Sequence, residues 1–410
     1  AGAWCGQNKY LSAIKNAFQN FMPLTIAGAI GVLWCNVLVN ENTGLGMFFK
    51  PIMALDFLNP AFQAVNFCTI SCITVGITLG IAQEIGVWNM GAEKAGYIPG
   101  LVGLAAWLSV TNTSHMVEGA KEAFTGIAGN ELGATGLFTG MIIGVLSVEL
   151  FCFFEKQDAL KIKMPEQVPP GVARAFEVLV PATITLIITA CIGSACYNLT
   201  GLYLNDVIKN GIQGPLGAVG ATIPGVMIIY LVIMLFWLVG IHGNNMLSAV
   251  KEALFTPLAL ENVEKFNKGE KPTNIINMYA LQMWGEFGGS GVTIGLVIAI
   301  MIFGKREDNK AIATLSLVPG LFNINETVTF GIPMVLNPIL GIPFVVAPLI
   351  TIIIGYVLTV IGFCPVACLT VPWTTPPIVF GFLACGANVM GAVTQAILIV
   401  VSTVIYVPFL

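Results

Sequence analysis

Apolar residues fall along this chain in long unbroken blocks instead of at the two-residue or 3.6-residue spacing of a half-buried strand or helix. Blocks of spanning length are centred on 22–39, 66–83, 97–113, 134–155 and 176–204, then on 220–241, 289–303, 342–364 and 386–408. About 20 apolar residues carry an α-helix across the hydrocarbon of a bilayer, with every interior backbone hydrogen bond made inside the helix. The pattern therefore predicts an all-α polytopic membrane protein. A polar connection at roughly 205–219, with Asn205, Asp206, Lys209 and Asn210 followed by glycines and Pro215, separates the two sets of blocks. It predicts a division into 1–212 and 213–410.

Three stretches do not fit the simple pattern. The start, with Lys9 and Lys15 ahead of the first apolar run, predicts an amphipathic helix lying at the interface, since no small-residue cleavage site follows a short apolar core. The stretch 242–288 mixes apolar pieces with Lys251, Glu261, Glu264, Lys265, Lys268 and Lys271, so its crossings cannot be counted from hydropathy. Two further segments are apolar but interrupted: 311–337 at Pro319, Gly320, Gly331 and Pro333, and 368–385 at Pro372, Pro376, Pro377 and Gly381. Irregular backbone at membrane depth survives only where protein buries it or where it lines a watery cavity, which is where transporters build sites. These segments read as re-entrant hairpins, with short interfacial loops as the alternative.

Composition sharpens the picture. The chain is 56% hydrophobic and 9% charged, against roughly a quarter charged in a soluble domain. Its net charge of −4 is scattered along the loops, which excludes a nucleic-acid footprint. Lys156, Lys161, Lys163 and Arg174 in one loop, and Lys305, Arg306 and Lys310 in another, place those loops and the N-terminus on the cytoplasmic side. Ten cysteines are present, but those at 35, 68, 72, 152, 191, 196, 364, 368 and 385 lie in or beside apolar runs without zinc or redox spacing. No metal or cofactor is expected.

Against this background the polar residues at membrane depth stand out. Glu326 is the only charged residue in the last hundred positions, within Leu317-Val-Pro-Gly-Leu-Phe-Asn-Ile-Asn-Glu-Thr-Val-Thr-Phe-Gly-Ile-Pro333. An ionisable group there costs a few kcal/mol, so it usually faces a cavity and marks a pathway or relay; a solvated loop acid is the plainer reading. Asn323 and Asn325 can donate to the carboxylate or to a ligand hydroxyl. His242 closes Leu235-Phe-Trp-Leu-Val-Gly-Ile-His and is flanked by Gly240 and Gly243, where it can donate to a hydroxyl, offset negative charge or pass a proton. A buried core histidine is the bland alternative. Trp237 and Trp373 offer flat faces suited to sugar rings, although tryptophans also populate the membrane interface.

Three of these stretches carry a resemblance. Asn325-Glu-Thr-Val-Thr-Phe-Gly-Ile-Pro-Met-Val-Leu-Asn-Pro338, Gly240-Ile-His-Gly-Asn-Asn245 and Val371-Pro-Trp-Thr-Thr-Pro-Pro377 resemble the membrane-embedded C component of bacterial sugar phosphotransferase systems. The likeness runs over essentially the whole chain. It is strongest to the lactose, cellobiose and N,N′-diacetylchitobiose branch, nearest the diacetylchitobiose transporter. One departure is that Thr327 follows Glu326 where Asn-Glu-Pro is expected, which predicts a less rigid turn.

The resemblance implies a plasma-membrane homodimer of about ten-helix subunits, the first half dimerising and the second holding a disaccharide. It implies group translocation, in which the sugar is carried inward and phosphorylated by a phosphocysteine on a separate soluble B component. Glu326 would then bind the hydroxyl that is phosphorylated and act as its base, with His242 orienting it and Asn325 and Trp373 fixing the ring. A proton-coupled disaccharide symporter, with Glu326 and His242 as relay, is the competing expectation.

Overall fold

A computed structural model describes residues 8–41, 45–115, 124–165, 167–332, 334 and 337–410. The chain is all-α among these residues, apart from a two-residue antiparallel ladder in which Ser114 pairs with Thr125 and His115 with Phe124. It divides into two compact units. One holds residues 8–24 and Thr69–Leu216, the other Thr25–Cys68 and Gly217–Leu410.

The first unit contains the start of α1 (Lys9–Leu33), then α2 (Ile73–Met90), α3 (Ile98–Val110), α4 (Leu137–Glu155) and α5 (Pro170–Thr200). Among the described residues no separate interfacial helix precedes the first apolar block: from Lys9 the chain runs through Pro23 as one helix, and residues 1–7 lie outside the described part. Proline is tolerated in such a helix because neighbouring groups satisfy the carbonyl it leaves free. The block at 66–83 is displaced to 73–90, because a π-helical turn at Phe67–Ser71 interrupts it. Ile77, Ile81 and Ile85 of α2, Trp107 of α3 and Phe151 of α4 are all buried where these three helices pack together. Small residues let these backbones approach, and a Cβ on Gly103 would strike that of Ala82. At the end of α4, buried Glu155 takes ion pairs from Lys94 at 2.8 Å and Arg174 at 2.9 Å. Arg174, one of the basic residues used to orient the loop, is thus neutralised within the unit.

The second unit contains α6 (Ile223–Leu238), α7 (Gly243–Asn267), α8 (Met278–Gly285), α9 (Ile294–Phe303), α10 (Glu307–Leu321), α11 (Glu326–Gly331), α12 (Gly341–Val360), α13 (Val379–Ala384) and α14 (Val389–Tyr406). The stretch left uncounted at 242–288 becomes one long helix, a loop and the short α8. The block at 289–303 yields only ten helical residues, because 286–293 forms a buried non-helical loop with Gly288, Gly289 and Gly291 at φ +70°, +88° and +81°. Those dihedrals are open to glycine and strained for other residues.

Both interrupted segments are irregular, with details that sequence alone misplaces. α10 passes through Pro319 and Gly320 and stops at Leu321; the break falls at 322–325, and Pro333 lies outside the described residues. In the other, Gln395 of α14 accepts hydrogen bonds from the backbone N–H of Ile378 at 2.8 Å and Gly381 at 2.7 Å. Its amide donates to the carbonyl of Met283 at 3.2 Å. One buried side chain thereby supplies the partners that missing helix turns would have given.

Among the described residues, five helices are long and apolar enough to cross a membrane: Lys9–Leu38, Leu137–Glu155, Pro170–Thr200, Gly341–Val360 and Val389–Phe409. A sixth is counted if the broken pair Lys50–Ser71 and Ile73–Met90 is taken as one span.

Candidate functional site

Glu326 and His242 are delivered by the same local device. At the end of α6 the N–H of Gly240 bonds the carbonyl of Trp237 at 3.0 Å, and that of Ile241 bonds Phe236 at 3.0 Å, with Gly240 at φ +80°. At the end of α10 the N–H of Asn323 bonds Gly320 at 3.0 Å and that of Ile324 bonds Pro319 at 3.0 Å, with Asn323 at φ +63°. Each is a left-handed helix stop of the Schellman type, the position where glycine and asparagine are favoured. In both, an isoleucine follows and the next helix starts at once. His242 is the N-cap of α7, and Asn325 precedes Glu326 at the first position of α11.

The cap fixes the histidine proton. The backbone N–H of Asn245 donates to His242 Nδ1 at 3.2 Å, so in the neutral ring the proton sits on Nε2. Nε2 stands 3.7 Å from Glu326 Oε1, with the two side chains 37% and 47% exposed. That separation is too long for a hydrogen bond, and it leaves both groups free to bond a third atom. The protein has two histidines, so ring ¹⁵N spectra can be assigned with a single His115→Asn variant. The expected result is an Nε2–H tautomer at His242 in the neutral state. An Nδ1–H signal would show that the cap does not hold.

The other residues singled out by sequence occupy different roles. Trp237 is buried, with its ring centroid 4.4 Å from that of His242, so it supports the imidazole from beneath. Trp373 is 45% exposed. Asn325 is buried and turned inward, its amide donating to the Ser290 carbonyl at 3.1 Å and to Thr329 Oγ1 at 3.0 Å. Thr327 lies in the first turn of α11, where backbone N–H groups lack intrahelical partners and proline is readily accommodated. Exchanging proline for threonine there leaves the helix start intact.

Sequence reading missed what holds these parts together. Asn323 Oδ1 accepts from the N–H of Gly288 at 2.6 Å, while its amide donates to the carbonyls of Trp373 and Thr375, the latter at 3.1 Å. One side chain thus ties the loop before Glu326 to the segment bearing Trp373 and to the glycine loop. That loop is also gripped from the other side, since Asn244, two residues after His242, donates to Ser290 Oγ at 2.8 Å. A Cβ on Gly289 would come within 2.7 Å of Asn325 Oδ1, so the absence of a side chain there is what admits Asn325. The available signal was Gly288-Gly-Ser-Gly291 inside an apolar block, a composition that marks close backbone approach.

Broken helices that place an exposed carboxylate opposite a tautomer-fixed imidazole, in a chain of membrane-spanning helices, define the class as an α-helical membrane transport protein. The chain belongs to the phosphotransferase system EIIC family, whose family model matches residues 15–348. It is 33% identical over 408 residues to the oligo-beta-mannoside-specific EIIC component of Bacillus subtilis, covering 98% of this chain and 89% of that one. It is 30% identical to the cellobiose-specific EIIC component of Lactococcus lactis, covering 98% and 94%. The crystal structure of the transporter ChbC, the IIC component from the N,N′-diacetylchitobiose-specific phosphotransferase system, superposes with a TM-score of 0.90 at 30% identity, covering 99% and 94% of the two chains.

Proposed function

We propose that this protein binds a β-linked disaccharide of the cellobiose or N,N′-diacetylchitobiose class, carries it inward, and presents one hydroxyl for phosphorylation by a phosphocysteine on a separate B component. The observation that carries the reading is the 3.7 Å separation of His242 Nε2 and Glu326 Oε1, both reachable, in an EIIC chain. A sugar hydroxyl between them accepts from Nε2–H and donates to the carboxylate. In the transfer step its oxygen attacks phosphorus, the P–S bond breaks to release the cysteine thiolate, and the hydroxyl proton passes to Glu326. Phosphoryl transfer of this kind asks the protein mainly for positioning and charge compensation, to which the Nε2–H dipole of the capped His242 contributes. Trp373 offers its exposed face to a sugar ring. Asn325 contributes at one remove, by holding the start of α11.

Consistent with that family, the chain forms about ten crossings in the plasma membrane with a cytoplasmic N-terminus. The segments 311–337 and 368–385 enter as re-entrant hairpins, 1–212 mediates a homodimer, and 213–410 holds the sugar. The specificities in the names of these relatives, oligo-beta-mannoside, cellobiose and N,N′-diacetylchitobiose, support β-linked substrates. The test is uptake into vesicles loaded with phosphorylated B component, using cellobiose, lactose, diacetylchitobiose and maltose in competition. Recovery of phosphorylated β-linked sugar inside is expected. Unmodified sugar accumulating only with a pH gradient would instead establish a proton symporter.

A further inference from the structure

A buried charge cluster lies beside the site and takes no part in the reading above. Lys251, two turns along α7 from the His242 cap, forms an ion pair with Oε1 of Glu286, the first residue of the glycine loop; the side chains are 7% and 17% exposed. Tyr230 of α6 donates its hydroxyl to the same carboxylate oxygen at 2.6 Å, and the Lys251 ammonium lies 5.5 Å from the centroid of the Tyr230 ring. Lys251 also donates to Asn244 Oδ1 at 3.4 Å. That contact leaves the Asn244 amide nitrogen facing Ser290 Oγ, to which it donates at 2.8 Å.

These contacts close a circuit. His242 is fixed to the start of α7, and α7 is fixed to the glycine loop through Asn244–Ser290 and Lys251–Glu286. The glycine loop in turn holds Asn323 through the Gly288 N–H and Asn325 through the Ser290 carbonyl, and these residues flank Glu326. The elements carrying the imidazole and the carboxylate are therefore registered against each other through one loop. Desolvating two charges costs more than a well-packed neutral pair would, so a buried ion pair is a poor source of stability, and its best attested use is to fix a register.

We propose that Lys251 and Glu286 are positioning residues that set the gap between His242 Nε2 and Glu326, and so govern the transfer step more than sugar binding. The inference rests on the phosphotransfer reading of that pair. Removing one partner strands a buried charge and endangers folding, so the informative variant is the double neutral one, Lys251→Met with Glu286→Gln, which keeps volume and removes both charges.

The experiment compares wild type, this double variant, Lys251→Arg and Glu326→Gln in the vesicle assay, with whichever sugar of the four-sugar panel is phosphorylated. Equilibrium binding of that sugar to each purified protein is measured alongside. The double variant is expected to bind sugar within threefold of wild type while its kcat falls at least tenfold, and Lys251→Arg to keep at least a third of kcat. A double variant with kcat within tenfold of wild type overturns the proposal. So does one whose sugar binding weakens by more than threefold, which shows a structural role, or a Lys251→Arg protein as impaired as the double variant. If none of the four sugars is phosphorylated, the phosphotransfer reading fails; if Glu326→Gln transfers at the wild-type rate, the role given to the His242–Glu326 pair fails; in either case the inference falls with it. If Glu326→Gln is inactive and the double variant is unimpaired, the inference fails alone.

Discussion

Glu326→Gln is expected to reduce phosphoryl transfer at saturating sugar by a factor of about 10²–10⁴, the usual contribution of a positioned general base. Glutamine keeps the shape of the side chain and still hydrogen-bonds a hydroxyl, but it cannot take the proton that leaves the hydroxyl as the O–P bond forms. Sugar binding should weaken only about tenfold, since a charge-assisted hydrogen bond becomes a neutral one worth roughly 1.4 kcal/mol less. Single-turnover transfer from phosphorylated B component and equilibrium binding separate the two effects. Wild-type transfer in the variant would remove Glu326 from the chemistry.

The second large effect is structural. Asn323→Ala loses three hydrogen bonds at once, to the Gly288 N–H and to the carbonyls of Trp373 and Thr375, and it places alanine at φ +63°. The left-handed backbone alone costs alanine roughly 1–2 kcal/mol, and the N–H of buried Gly288, left without its acceptor, about 1–3 kcal/mol more. Asn323→Gly loses the same hydrogen bonds without the backbone penalty. The expected order of thermal melting midpoints in detergent is therefore wild type, then Asn323→Gly, then Asn323→Ala. Both variants should also bind sugar less tightly, because Trp373 is no longer tied to the loop that carries Glu326. A fully stable, tightly binding Asn323→Ala protein would show that this asparagine does not organise the site.

The residues that sequence brought forward and those it passed over differ in kind. Glu326 was conspicuous because an ionisable group in a hundred apolar positions is energetically anomalous wherever the chain goes, and His242 was conspicuous for a similar reason. Asn244 and Ser290, which sequence passed over, and Asn323, which it named only as a donor to the carboxylate or to a ligand hydroxyl, are neutral polar residues of the sort that populate any loop. Their importance comes from partners 35 to 52 residues away for Asn323 and 46 away for the Asn244–Ser290 bond, and no local pattern encodes such pairings. Lys251 and Glu286 were visible as charges, but they sat in a stretch whose mixed composition suited a surface loop equally well. Trp237 shows the opposite limit. Its aromatic face suggested an exposed platform, and the packing that buries it under His242 could be known only from the fold.

Hydropathy by itself determined the class of solvent and hence the class of fold, because apolar blocks of spanning length leave α-helices as the structure that satisfies its own backbone in lipid. It also located the two interrupted segments, since proline and glycine act on the backbone where they stand. Tertiary structure decided where those segments break. α10 runs through Pro319 and Gly320 and ends only where Asn323 can enter the left-handed region with its side chain satisfied on three partners. It likewise decided the 3.7 Å spacing of His242 and Glu326, which depends on a glycine loop that neither residue touches in sequence. Local propensity sets what a segment can be, whereas the distance between two side chains 84 positions apart is set by everything packed between them.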